Sequence, residues 1–219
     1  MSAAAAPARR TVVKVCGLTN FEDAALALSA GADWLGFVVR GESPRLLEPG
    51  RAADIVAALG RGVAVAVMVG TGPDEALARA RESGAARLQI HRVDAAGWPA
   101  DFPLPCAFAA GVVERGRVTD ALPPEPHLVL LDTAHATLAG GTGETFPWDG
   151  ARALAERRPV MLAGGLDGEN VGEALAAARP FGVDASSRLE RAPGLKDHDR
   201  VRRFVAAVRE FDAEHAGPA

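Results

Sequence analysis

Short apolar runs rich in β-branched residues alternate along the chain with stretches in which apolar residues recur at helical spacing. A short apolar run that ends in Gly or polar residues is typical of a buried parallel strand, whereas recurrence at helical spacing is typical of an amphipathic helix. Strands are therefore predicted at residues 11–16, 34–39, 63–69, 87–90, 104–110, 127–131, 159–163 and 181–185.

The stretches between these strands supply helices, predicted at residues 21–30, 51–59, 73–83, 149–157, 169–178 and 197–214. Residues 94–101 and 115–126 are predicted only as weak helices, because both contain prolines. The alternation of strands and helices predicts an α/β fold, a single-domain (β/α)8 TIM barrel over residues 11–214 that follows a frayed or disordered tail over residues 1–10. A doubly wound open sheet is the alternative, but its Gly-rich fingerprint is missing after the first strand.

Composition narrows the possible functions. The chain has 219 residues, 48% of them hydrophobic, which is enough for one domain with a substantial core. Its net charge of −4 favours neither nucleic acid nor an anionic membrane as a partner, and no apolar run is long enough to span a bilayer. Residues 1–10 lack the pattern of a secretory signal, and two cysteines make no disulfide framework, so a cytoplasmic location is expected.

Active sites of such barrels lie at the C-terminal ends of the strands, where the sequence places Cys16 and Asp132. A thiol can act as a base if a cation lowers its pKa, and a carboxyl group with a raised pKa can act as an acid. Strand six reaches strand one through strands seven and eight, so the two side chains could face each other across the barrel mouth. A buried core cysteine and a loop-capping aspartate are the ordinary alternatives. Cys106, inside strand five, is expected in the core.

Two loops indicate an anion site suited to phosphate. Gly164 and Gly165 follow strand seven and precede a helix, and Ser186 and Ser187 follow strand eight. Free backbone N–H groups at such loops favour a phosphate group, which in a (β/α)8 barrel is held after strands seven and eight.

Other polar residues near strand ends are candidates for substrate binding. Arg45, after Ser43 and Pro44, could hold a carboxylate bidentately or be a solvated loop charge. Gln89 and His91 would both point into the barrel, either to substrate or as satisfied core groups, and Asp184 could support the phosphate loop. No cluster has the spacing of metal ligands, so neither a metal nor another cofactor is expected.

The strand ends, in this order, resemble those of the phosphoribosylanthranilate isomerase family. The matching positions are Phe146, Trp148, Glu190 and residues 14–18, 31–33, 36–37, 43–45, 89–91, 131–132, 140–143, 163–166, 169–171, 183–187, 193–194 and 196–197. The resemblance implies an Amadori rearrangement of N-(5-phosphoribosyl)anthranilate to 1-(2-carboxyphenylamino)-1-deoxyribulose 5-phosphate in tryptophan biosynthesis. It implies a small phosphosugar–anthranilate substrate, no organic cofactor, and a monomer or homodimer.

The resemblance also implies roles for individual residues. Cys16 would be the general base that takes the C2 proton, Asp132 the general acid that opens the ring, and Arg45 the group that holds the anthranilate carboxylate. The remaining substrate contacts would come from Gln89, His91 and Asp184, and the phosphate contacts from Gly143, Gly164, Gly165, Ser186, Ser187 and Arg188.

Three residues depart from the usual family pattern. Gly70 replaces an Asn after strand three, Arg92 replaces a Gly after the strand-four His, and Arg188 replaces a Gly after the paired serines. Arg188 could strain the backbone, reach the phosphate or point to solvent. The departures leave two alternatives open, a relative with a different aminosugar or sugar phosphate as substrate and a non-catalytic binding protein on the same scaffold. The presence of both Cys16 and Asp132 argues against the second.

Overall fold

A computed structural model describes residues 10–113, 117–118, 121–132 and 148–216. Its main sheet contains eight parallel strands, named β1 (Val12–Cys16), β2 (Trp34–Arg40), β3 (Ala64–Val69), β4 (Arg87–His91), β5 (Cys106–Val113), β6 (Leu128–Asp132), β7 (Val160–Ala163) and β8 (Gly182–Ala185). Each strand pairs in parallel with the next, and β8 pairs with β1. The sheet is therefore closed, which confirms the predicted (β/α)8 barrel and excludes the open sheet.

The helices follow the strands much as the sequence predicts. They are α1 (Phe21–Ser29), α2 (Pro49–Leu59), α3 (Pro73–Ser83), α4 (Asp149–Ala155), α5 (Val171–Ala178) and α6 (His198–Glu214). The weak helix at residues 94–101 is only a 3-10 turn, Ala95–Gly97.

The helix predicted over residues 115–126 is wrong for the part that the structure describes. Arg117–Val118 is a short strand that pairs antiparallel with the end of β5, and residues 121–126 are not helical. Pro123, Pro124 and Pro126 lie in this stretch, and proline cannot donate the backbone hydrogen bonds that a helix interior needs.

The ends of the helices have local causes in the sequence. The side chain of Asn20 accepts the Asp23 N–H and so begins α1, and Asp197 accepts two N–H groups at the start of α6. Pro49 and Pro73 occupy the first turns of α2 and α3, where a missing N–H is tolerated.

Side-chain alternation along the strands separates two apolar regions. Val13 and Leu35 are examples of outward-facing residues in the large core that joins the barrel to its helices. Inside the barrel, Val65 and Val67 pack near Cys16, and Leu130 packs elsewhere in the interior. These apolar side chains fill part of the interior, and the active sites of such barrels lie at the C-terminal ends of the strands.

Asp33 ties the start of the barrel to its last helix. Its carboxylate accepts the Val13 N–H at 2.9 Å and pairs with Arg209 of α6 at 2.7 Å and with Arg10 at 2.6 Å. Burial would raise the pKa of Asp33, but these three donors hold it below its usual value. Arg10 falls within the predicted tail of residues 1–10, whose remaining residues lie outside the described part. The predicted domain limits stay a prediction.

We predict that Arg179→Gly stabilises the protein. Arg179 ends α5 with a left-handed backbone (φ 46°, ψ 55°), a conformation that glycine adopts without a Cβ penalty. The free energy of unfolding, measured in urea, should rise by about 1 kcal/mol. Arg179→Ala keeps the Cβ and is the matched control, with little expected change. Equal stability of the Gly and Ala variants would contradict the strain argument.

Candidate active site

Cys16 ends β1, and its side chain faces the barrel interior with only 7% exposure. Gly36 of β2 is its partner in register. A Cβ added at Gly36 would lie 2.8 Å from the Cys16 Sγ and 2.9 Å from the Lys14 Nζ. The thiol and the ammonium group therefore lie next to the same point, and the absence of a side chain at Gly36 leaves room for both.

Lys14 forms a buried ion pair with Asp184. The two residues are partners in register across β1 and β8, and the Nζ–Oδ2 distance is 2.8 Å with both side chains at most 5% exposed. Burial alone would lower the pKa of Lys14, but Asp184 and Cys16 raise it above its usual value. The second carboxylate oxygen, Oδ1, is buried and has no hydrogen-bond partner among the described residues. Such an oxygen can accept a hydrogen bond from a bound ligand.

The environment of the Cys16 thiol contains opposing influences. Burial raises its pKa most, the Lys14 ammonium lowers it, and the Asp184 carboxylate raises it. The net pKa is above the ordinary value. Lys14 is therefore the strongest nearby group that favours the thiolate, the form that can act as a base.

A second charge network lies beside the first. Arg45 binds Glu190 bidentately, with Nε–Oε1 at 2.7 Å and Nη2–Oε2 at 2.6 Å, and the Lys196 Nζ lies 2.8 Å from Oε1. Burial would raise the pKa of Glu190, but Arg45 and Lys196 hold it below its usual value. Glu190 and Lys196 come from a short antiparallel hairpin (Glu190–Ala192 and Leu195–Lys196) that follows β8.

Gly17 allows Arg45 to cross the mouth next to Cys16. Its φ is +74°, and a Cβ there would lie 2.5 Å from the Arg45 Cδ and 2.8 Å from the Ser186 Oγ. Ser186 in turn donates to the Cys16 carbonyl oxygen at 3.0 Å. A residue other than glycine at this position would displace both side chains.

The two loops predicted to bind phosphate are adjacent, because they follow paired strands. Gly164 and Gly165 have φ of 87° and 65°, and Asn170 donates to the Gly165 carbonyl at 2.8 Å. Ser187 is exposed and begins a 3-10 turn. Gly143, also predicted to contact phosphate, lies outside the described residues.

Arg188 has an unstrained backbone and an exposed side chain. Its backbone is not left-handed, its side chain is 60% exposed, and its guanidinium lies 3.6 Å from Asp167. The backbone strain considered for this departure is therefore not present, and the predicted phosphate contact of Arg188 stays a prediction.

The other two departures share one surface cavity. Gly70 and Arg92, both with left-handed backbones (φ 63° and 57°), line a cavity of about 450 Å³ formed by the loops after β3 and β4. The Arg92 side chain is exposed, so its burial does not offset the strain of the left-handed backbone.

Gln89, His91 and Asp132 complete the inward positions at the mouth. The Gln89 Nε2 lies 3.0 Å from the His91 Nε2, and the Gln89 Oε1 is buried with no partner among the described residues. Asp132 ends β6, two positions after the interior residue Leu130, and is partly buried. Strands β7 and β8 separate β6 from β1, as predicted. The structure thus brings Cys16 together with Asp184, and places Asp132 on the same rim.

Sequence reasoning missed the roles of Lys14, Glu190 and Lys196. Alternation gives the signal for Lys14, because a residue two positions before Cys16 on a strand faces the same side. Glu190 and Lys196 matched the family pattern, but the hairpin that buries them is too short to give a periodic signal. The predicted core position of Cys106 is confirmed, and burial raises its pKa to about 12.

We predict that Glu190→Gln destabilises the protein in a pH-dependent way. The folded-state pKa of Glu190 is lowered, so its ionised form adds stability at neutral pH that is lost as pH falls below about 4.3, the ordinary value. At pH 7 the loss should be about 2–3 kcal/mol, below that of a fully buried pair because Arg45 is partly exposed.

Urea unfolding between pH 7 and pH 3, a range that extends below the ordinary pKa of about 4.3, measures this difference. The gap between the parent protein and Glu190→Gln should narrow towards the acidic end. Glu210→Gln is the matched control, because Glu210 is exposed on α6. A gap that stays constant over this range would show that the carboxylate charge does not support the fold.

Two general features accompany the site. Among the described residues, no group of three or more His, Cys, Asp or Glu side chains could hold a metal ion. No helix in the part of the chain that the structure describes is long and apolar enough to cross a membrane.

Comparison with known proteins gives one consistent result. The sequence model of the family described as N-(5'phosphoribosyl)anthranilate (PRA) isomerase matches residues 13–207. The N-(5'-phosphoribosyl)anthranilate isomerase of Rubrobacter xylanophilus is 42% identical over 205 residues, which cover 90% of this chain and 98% of that protein.

Solved structures agree with the sequence comparison. The phosphoribosyl anthranilate isomerase of Thermotoga maritima superposes with a TM-score of 0.76 and 33% identity, over 91% of this chain and 99% of that one. A phosphoribosyl anthranilate isomerase solved with reduced 1-(o-carboxyphenylamino)-1-deoxyribulose 5-phosphate gives a TM-score of 0.74 and 31% identity, with the same coverage of both chains. This chain belongs to the N-(5'-phosphoribosyl)anthranilate isomerase family.

Proposed function

We propose that this chain catalyses the Amadori rearrangement of N-(5-phosphoribosyl)anthranilate to 1-(2-carboxyphenylamino)-1-deoxyribulose 5-phosphate in tryptophan biosynthesis. The reaction is an intramolecular oxidoreduction that turns an aldose derivative into a ketose. The observation that carries the proposal is the family match over residues 13–207, within which Cys16 and Asp132 stand at strand ends on one rim.

The reaction needs one proton donor and one proton acceptor. Asp132, in its protonated form, gives a proton to the ring oxygen as the C1–O bond breaks, which leaves a protonated imine at C1. The Cys16 thiolate then takes the proton from C2, and the electron pair of the C–H bond forms the C1–C2 double bond of an enolamine. Return of a proton to C1 and loss of the O2 proton give the ketone, so that no atom is gained or lost.

The two polar ends of the substrate have separate binding groups in this proposal. Arg45 holds the anthranilate carboxylate, with its Nη1 still available because Nε and Nη2 are bound to Glu190. The backbone N–H groups near Gly164, Gly165, Ser186 and Ser187 hold the phosphate. Gln89, His91 and Asp184 line the space between them, and the buried oxygens of Gln89 and Asp184 are acceptors for substrate hydroxyl or N–H groups.

We further propose that the enzyme is a cytoplasmic monomer or homodimer and that its binding partner is a small phosphosugar–anthranilate molecule. One similar solved structure is that of monomers generated from the dimeric phosphoribosylanthranilate isomerase of Thermotoga maritima.

A relative with a different aminosugar or sugar phosphate as substrate is the second candidate. It is favoured by one observation, that Gly70 and Arg92 line the same cavity. An assay that monitors the loss of phosphoribosylanthranilate fluorescence separates the two candidates. The isomerase requires turnover in this assay and growth of a tryptophan auxotroph that carries this chain. A folded protein that shows neither would favour a different substrate.

We predict that Cys16→Ala and Asp132→Asn each lower kcat by at least about a hundredfold, the usual contribution of one general base or acid. The measurement is the fluorescence assay at saturating substrate. Cys106→Ala, which removes the other thiol, is the control and should keep near-normal turnover, because Cys106 packs in the outer core. Near-normal kcat in either site variant would remove that residue from the mechanism.

A further inference from the structure

Lys14 is a buried cation beside the candidate base. Its side chain is 1% exposed, and its Nζ lies 2.8 Å from Asp184. A Cβ added at Gly36 would lie 2.9 Å from this Nζ and 2.8 Å from the Cys16 Sγ, so both groups border the same small space. Burying an ammonium group is costly. Neither the proton transfers nor the substrate contacts of the proposed function use Lys14.

We propose that Lys14 is a positioning residue that acts through Cys16, stabilising its thiolate and directing the sulfur towards the substrate, while Asp184 fixes the ammonium group between them. The inference rests on the proposed function for the task of the thiolate, but the interaction itself is a property of the free protein.

The geometry leaves Lys14 little choice of orientation. The register of β1 with β8 sets it beside Asp184, and that of β1 with β2 sets Cys16 beside Gly36, which has no side chain to separate the sulfur from the nitrogen. Because Lys14 is enclosed, its charge acts at short range and with little screening by water.

Asp184 has two opposite effects on the base. Its carboxylate raises the pKa of the Cys16 thiol, but less than Lys14 lowers it. Through its ion pair, Asp184 also keeps the Lys14 ammonium group charged and in place, and its Oδ1, which has no partner among the described residues, can accept a hydrogen bond from the substrate.

The other charged groups that face the thiol come from two further elements. Lys196 and Arg45 both favour the thiolate, and both are bound to Glu190. Counted together with the Cys16 thiolate, Lys14 and Asp184, these side chains carry no net charge. Ionisation of the thiol therefore leaves this group of side chains neutral, although burial still holds the pKa of Cys16 above its ordinary value.

A thiolate titration tests the proposal in the full-length protein. In a Cys106→Ala background Cys16 is the only thiol, and the chain contains no Tyr whose ionisation would overlap the ultraviolet absorbance of the thiolate. Adding Lys14→Met should raise the midpoint of the Cys16 titration by at least about one pH unit. The acidic limb of the kcat/KM profile should move by the same amount.

Two further variants keep the test decisive. Lys14→Met with Asp184→Asn removes both charges of the pair, in case the single variant does not fold, and should still raise the midpoint because Lys14 acts on the thiol more strongly than Asp184. Lys196→Met removes the other buried lysine as a matched control and should give a smaller shift.

The outcomes are distinguishable from those of the proposed function. An unchanged midpoint in a folded Lys14 variant would overturn the inference, even if Cys16→Ala is inactive. An active Cys16→Ala variant would overturn the assigned base, even if Lys14→Met shifts the thiol titration as expected.

Discussion

The ion pair between Lys14 and Asp184 is the interaction on which the arrangement of the site depends. It joins the first and last strands of the barrel, and both partners are almost fully buried. Close geometry offsets part of the cost of burying two such charges, and the closed sheet provides it through the strand register. Because Lys14 lies next to Cys16, its buried charge lowers the pKa of the thiol.

A second network supports the first from the loop side. Glu190 binds Arg45 and Lys196 at once, so one carboxylate orients two cations around the mouth. Gly17 leaves room for Arg45 beside Cys16, and Gly36 leaves room for Lys14. The site therefore needs glycine at these two positions as well as its charged side chains.

The barrel could be predicted from the sequence because its strands are short apolar runs and its helices periodic, and α3 was predicted at its observed limits. The helix prediction was wrong for the described part of residues 115–126, because prolines end helices without specifying what replaces them. Glu190 and Lys196 gained their importance from a hairpin with no periodic signal. The orientation of Arg188 depended on loop backbone angles that no sequence pattern sets.

In the proposed reaction Asp132 opens the ring, and the Cys16 thiolate then takes the proton from C2. The most direct test of this proposal is the single-turnover rate with N-(5-phosphoribosyl)anthranilate carrying deuterium at C2. We expect a slower turnover with the deuterated substrate. We also expect the single-turnover rate to fall as pH drops through the range in which the Cys16 thiolate gains its proton. Equal rates for the two substrates at every pH would contradict it.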